Sequence, residues 1–263
     1  MRKKRLIIIS VILSVFAVMI VLASTVFMLK SASVDIVSAN TSVLSASDSD
    51  SIIKCAKFNY GGNVLFMNFN KQIERIEKEF AYAKVEKIER KFPNKVVVHI
   101  SERSPAFYVQ TTQYIYVLDN DLKVLNVVAP EDFNESNSSL PQNALLVPKL
   151  FDFEIESGTT KGSKLKNDAL KSIIQSIITG LKKSDINITQ LKSIKTFYEV
   201  DEFRLELGID NNEMTLLIKG AKDLSQKVQV GIQAYNAHIS ENPSATGKME
   251  QVSATDISFV PQS

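Results

Sequence analysis

Few residues in this chain could do covalent or metal chemistry, and their spacing decides each case. Ser51-Ile52-Ile53-Lys54 matches the Ser-x-x-Lys of an acylated serine in penicillin-binding enzymes. Ser163-Lys164-Leu165-Lys166 matches it equally well, and no Lys-Thr-Gly is present to bind a substrate carboxylate. Ser51 therefore reads as a residue at the start of a helix. With two histidines, His99 and His238, and one cysteine, Cys55, a zinc site would have to gather carboxylates from scattered positions. Strand alternation puts His99 on the face opposite Val96, Val98 and Ile100, as a solvated or partner-facing imidazole. His238 reads as exposed. Asp119-x-Asp121 opens like a calcium loop, but the sixth position is Val124 instead of Gly and the twelfth is Pro130 instead of Glu. Gly61-Gly62 lacks the Gly-Lys-Ser/Thr of a phosphate cradle. No catalytic residue, metal ligand or cofactor is expected, and the chain reads as a binding protein.

Composition says where that binding takes place. Leu6 to Leu29 is 24 residues without a charge, long enough to span a bilayer with some tilt. Arg2-Lys3-Lys4-Arg5 precede it and only Lys30 follows closely, which keeps residues 1–5 in the cytoplasm. The run exceeds the ~7–15 apolar residues of a cleaved signal peptide, so an uncleaved anchor is expected at 6–29. Residues 31–263 carry 26 Lys+Arg against 29 Asp+Glu, a net of −3. The formal charge of +2 for the whole chain is thus a topology signal and no nucleic-acid footprint. A lone cysteine excludes an intramolecular disulfide, so ordinary hydrophobic cores must hold the exterior part together.

Periodicity then predicts the elements. Ser31 to Ser51 reads partly as a tether, with Val34, Ile36 and Val43 as candidates for a short first strand. Asp48-Ser49-Asp50 supplies N-cap residues for a short helix through Ile52, Ile53 and Ala56. A second helix is expected over about 70–79, with Ile73, Ile76 and Phe80 on one face. Strands at Ala83–Lys91 and Lys95–Glu102 flank the turn Phe92-Pro93-Asn94. Farther on, 114–118 and 122–128 pair around Asp119-Asn120-Asp121, and 130–143 is a polar surface loop. Asp168–Lys182 and Lys222–Ser240 are helices. Ile188–Val200, Phe203–Ile209 and Glu213–Lys219 are strands, the last two joined at Asp210-Asn211-Asn212, and Lys248–Ser253 is the final strand.

The stretch Gly62-Asn63-Val64-Leu65-Phe66, the helix after it, the two strands and Glu102-Arg103-x-Pro105 resemble the POTRA domain of the FtsQ/DivIB cell-division family. Gly220, Leu224-x-x-Lys227 and Gly247 resemble the tip, helix and last turn of that family's C-terminal β domain. The resemblance implies an α+β fold: a transmembrane helix, a βααββ POTRA domain at 30–103, a larger domain over 104–253 on an antiparallel-rich sheet with two packed helices, and a tail from 254. Two departures stand out: Asn40 takes the place of a strand-ending Gly, and the loop after Pro130 is long for the family. Glu102-Arg103 is expected as a strand-end ion pair.

The implied function is a non-catalytic, single-pass scaffold at the division septum. It would bind FtsB/DivIC-like and FtsL-like membrane proteins, and with them the septal peptidoglycan synthase complex. A POTRA-bearing export or assembly factor and an anchored cell-wall enzyme are the alternatives. Partner binding is expected along Lys248, Met249, Glu250, Gln251, Val252 and Ser253. A last strand leaves one row of backbone groups unpaired, and such an edge accepts a strand from another chain.

Overall fold

A computed structural model describes residues 2–37, 43–151, 153–156, 158–199, 202–209, 214–253 and 255–261. The chain divides into two compact units, Met1–Glu102 and Arg103–Ser263.

The first unit opens with helix α1, Arg2–Val26. Within the expected membrane span 6–29, the side chains at 6–8, 20 and 22–24 lie outside the described residues. Among the described residues no helix is long and apolar enough to cross a membrane. One boundary needs correcting: α1 stops at Val26, and the next residues belong to the domain. Met28 forms an antiparallel bridge to Asn63, and Leu29 is 1% exposed. Strand β1, Ser31–Val37, follows at once, so no tether separates helix from domain. Val43 lies beyond that strand, and Asn40 lies outside the described residues.

Helix α2, Ser49–Ala56, is led in by a 3-10 turn whose Ser45 and Asp48 form a capping box. Helix α3 is Asn70–Glu79; strands β2 and β3 are Ala83–Lys91 and Lys95–Glu102. The sheet order is β1-β3-β2, with β1 parallel and β2 antiparallel to β3. Period-two alternation buries Val96, Val98 and Ile100 of β3 under Ile52 and Ala56 of α2 and Ile76 of α3. Phe80, expected beside Ile76 in the core, is the C-cap of α3 and only half-buried. Its backbone leaves the helical conformation there (φ −103°, ψ 84°), which turns the side chain off the buried stripe.

Among the described residues, the second unit contains one nine-stranded sheet and two α-helices. Its strands are β4 (Phe107–Gln110), β5 (Ile115–Leu118), β6 (Val124–Val128), β7 (Lys149–Phe151), β8 (Leu191–Glu199), β9 (Glu202–Ile209), β10 (Met214–Lys219), β11 (Gly247–Gln251) and β12 (Ile257–Pro261). They run in the order β12-β11-β10-β9-β8-β7-β4-β5-β6. Pairing is antiparallel except for β10 with β11 and for β7 with both of its neighbours. Helix α4, Asp168–Lys183, buries Leu170, Ile174, Ile177 and Leu181, and α5, Leu224–Glu241, buries Leu224, Val228, Ile232 and Tyr235. Both stripes share one core with the sheet. At Gly180 of α4 a Cβ would sit 2.7 Å from Ser225 O and Val228 on α5, so glycine lets the two helices touch. The segment 130–143 is more than a surface loop. Leu140 and the adjoining Ala144 pack with Ile115, Val117 and Val128 in a second, smaller core. The turn expected at 210–212 lies outside the described residues.

Candidate partner-binding edge

Alternation along β11 settles which side chains meet the core. Met249 (6% exposed) and Gln251 (0%) point toward α5, and Lys248 and Glu250 point to the other face. Backbone approaches closely here: a Cβ on Gly231 of α5 would meet Gln251 Oε1 and lie 2.9 Å from Leu216 Cδ2. The opposite face carries a charge ladder across four strands. Lys248 Nζ is 3.1 Å from Glu206 Oε2 and Lys195 Nζ 3.3 Å from Glu206 Oε1; Lys219 Nζ is 2.8 Å from Glu250 Oε2. Burial pushes the Glu206 carboxyl up, but hydrogen bonds and charge from Lys248 and Lys195 outweigh it and hold the group below the usual carboxylate range.

The glycine and lysine of the Gly220…Leu-x-x-Lys pattern act together at the top of β10. Gly220 adopts φ +74°, and Lys227 Nζ donates to the carbonyls of Lys219 (2.7 Å) and Gly220 (3.2 Å). Leu224, one turn before Lys227, is buried in the core. The pattern therefore ties the start of α5 to the end of β10, next to the strand that carries the candidate site.

The premise that Lys248–Ser253 forms an open edge is wrong. Its outer side is filled by the chain's own β12, antiparallel from Gly247↔Pro261 to Gln251↔Ile257. Val252 and Ser253 have left the strand and build the turn between the two. Ser253 Oγ accepts from the N–H groups of Thr255 (3.3 Å) and Asp256 (3.1 Å), and Val252 N–H donates to Asp256 O (3.1 Å). The segment read as a tail thus holds a further strand, β12. Ile257 and Phe259 lean on the helix side, with the Phe259 ring 4.4 Å from that of His238. His238 is for this reason half-buried, where exposure was expected. Ser258 and Val260 are exposed. Among the described residues β12 is the outermost strand on this side of the sheet, and its outer backbone row has no strand partner there. Turn formers at 253–256 followed by apolar Ile257 and Phe259 were the available signal for it.

The candidate chemical groups do not converge. Ser51 and Lys54 are exposed on α2, and Ser163 sits in a turn with Thr160. Asp119 Oδ1 accepts the N–H groups of Asp121 and Lys123, and Oδ2 pairs with Arg103 at 2.6 Å, so its oxygens are committed to a turn. That pair is buried, and Glu102 accepts Val43 N–H at 2.5 Å. His99 is clamped, not free: Nδ1 lies 2.9 Å from Asp35 Oδ2 and Nε2 2.9 Å from Glu89 Oε2. The two nitrogens point opposite ways and cannot share an ion with both acids. Among the described residues no group of three His, Cys, Asp or Glu side chains could hold a metal.

Known proteins resemble both halves of this arrangement. The model of the FtsQ-type POTRA domain matches residues 37–103. Cell division protein DivIB of Clostridium tetani is 27% identical over 186 residues, which cover 69% of this chain and 66% of that protein. Cell division protein DivIB of Clostridium acetobutylicum is 23% identical over 158 residues, 57% of this chain and 58% of that one. The chain thus spans a little under two thirds of the length of these relatives. With an FtsQ-type βααββ unit, a β-rich unit following it in sequence and DivIB proteins among its relatives, the chain is similar to proteins of the FtsQ/DivIB family.

Proposed function

We propose that this protein is a non-catalytic scaffold of bacterial cell division, anchored by α1 with both folded units outside the cytoplasm. The observation that carries this reading is the FtsQ-type POTRA unit followed by a sheet whose outermost described strand, β12, is paired on one side only. The uncharged run from Leu6 to Leu29 behind four basic residues supports the anchor and its orientation. An FtsB/DivIC-like membrane protein adds its own strand to the outer edge of β12, with FtsL-like proteins and the septal peptidoglycan synthase complex recruited through it. Main-chain hydrogen bonds supply the affinity of such an addition and exposed side chains its selectivity. Lys248–Ser253 form the strand and turn that hold β12 in register. A fluorescent fusion in dividing cells tests the role: the protein gathers at mid-cell before constriction, and an even distribution around the membrane would count against it.

A further inference from the structure

The Gly62-Asn63-Val64-Leu65-Phe66 motif has so far only a structural role, yet it carries the most exposed large apolar side chain described. Phe66 is 86% exposed. The turn that presents it is fixed: Asn63 Oδ1 accepts from Leu65 N–H (2.9 Å), and Asn63 O accepts from Phe66 N–H (3.2 Å). From outside the turn, Arg90 donates to Val64 O (2.9 Å) and Met67 O (2.6 Å) while stacking on Phe69. A side chain left in water by loose packing would not need four such bonds around it.

The same turn is bonded directly to the end of α1. Val64 N–H donates to Phe27 O, Leu29 N–H to Gly62 O and Gly61 N–H to Leu29 O, at 2.8 to 3.0 Å. Lys30 N–H donates to Asn94 O (2.8 Å), and the rings of Phe27 and Phe92 meet edge to face at 5.9 Å. Bridged strands lie about 5 Å apart. Residues paired with Met28 and Leu29 therefore sit within that distance of the place where an anchoring α1 would leave the bilayer, and Phe66 is three residues away. This end of the unit also exposes Tyr60 (50%), Leu65 (39%) and Phe92 (60%). The segments 26–34, 57–73 and 90–101 that build it contain no Asp or Glu, while Lys30 and Lys95 are exposed.

We infer that this end of the POTRA unit docks on the membrane surface, with Phe66 and Phe92 inserted at the headgroup boundary and Lys30 and Lys95 against lipid phosphates. The inference rests on the reading of α1 as an anchor. Lipid is the occupant because the patch continues the apolar surface of α1, whose described side chains Ile9, Ile12, Leu13, Phe16 and Met19 are also exposed. Aromatic rings flanked by cations are the residues that favour the bilayer interface. The docking would fix the angle at which the unit leaves the membrane.

The chain contains no tryptophan, so a single substitution gives an unambiguous reporter. Full-length Phe66→Trp, Phe16→Trp and Val37→Trp are each reconstituted into phosphatidylcholine–phosphatidylglycerol vesicles with brominated acyl chains. Val37 is exposed at the far end of β1, about 20 Å along the strand from Ser31. Docking gives blue-shifted, quenched emission at 66, quenched emission at 16, and red, unquenched emission at 37. Quenching at 16 without quenching at 66 overturns the docking and leaves the anchor standing. Quenching at neither overturns both, and equal quenching at 66 and 37 overturns the specific orientation proposed.

Discussion

Gln251 is fully buried between α5 and the sheet, and neither its amide oxygen nor its nitrogen has a hydrogen-bond partner. Leaving such a group dry costs about 1–3 kcal/mol. Replacing it by leucine, of similar volume, is expected to raise the unfolding free energy of the chain by about that amount. Gly231→Ala should lower it by about 1–3 kcal/mol, because the new methyl meets Gln251 and Leu216. Chemical denaturation of both variants checks the pair, and a destabilised Gln251→Leu would contradict the packing. Glu89 offers a pH test in the other unit. Hydrogen bonds from Lys91 and His99 hold its carboxyl at about 2, far below the ordinary 4.5. A depressed carboxylate stabilises the fold fully above its unfolded value and loses that contribution as pH falls through the folded one. The stability difference between parent and Glu89→Gln should be constant above about pH 5 and shrink as pH falls toward 2. A difference that grows in acid would refute the clamp around His99.

At the scale of elements, helices α2 to α5 and the longer strands were legible because apolar residues recur at three-and-four or alternate spacing. Strands β4 and β7 were not: four and three residues are too few to show a period. Parallel pairing of β10 with β11 also has no local signature. Phe27 to Leu29 read as the end of the membrane run because composition alone cannot tell lipid from a protein interior. Leu29 in fact fills the core of the POTRA unit. The helix face of α3 was read one residue too far, so the energetic weight shifts from Phe80 to Ile76. Ile76→Ala should cost about 2–5 kcal/mol and Phe80→Ala distinctly less. Thermal or denaturant unfolding that ranks them the other way would return Phe80 to the core. Strand β11 was legible, but β12 was read as a tail, so the edge of the sheet was placed one strand too early. Truncation after Ser253 should bare the edge of β11, uncover the His238 ring, lower the stability of the second unit and abolish partner capture. Retained capture by the truncated chain would move the interface off β12.

For the whole molecule, the division of labour follows from what each unit leaves unsatisfied. The first leaves an apolar end beside α1, and the second leaves a strand edge at the end of its sheet. Neither assembles a reaction centre among the described residues, and in the proposed arrangement lipid meets the first surface and a partner strand the second. On the proposed reading, specificity for a partner would depend on backbone geometry at β12 more than on any single side chain. Photo-crosslinking in dividing cells tests this account most directly, with a photoreactive amino acid placed in turn at Ser258, Val260 and the exposed Leu146. Adducts with a small single-pass division protein are expected from positions 258 and 260 and none from 146. Adducts from 146 alone, or none from β12 in cells that are visibly constricting, would contradict it.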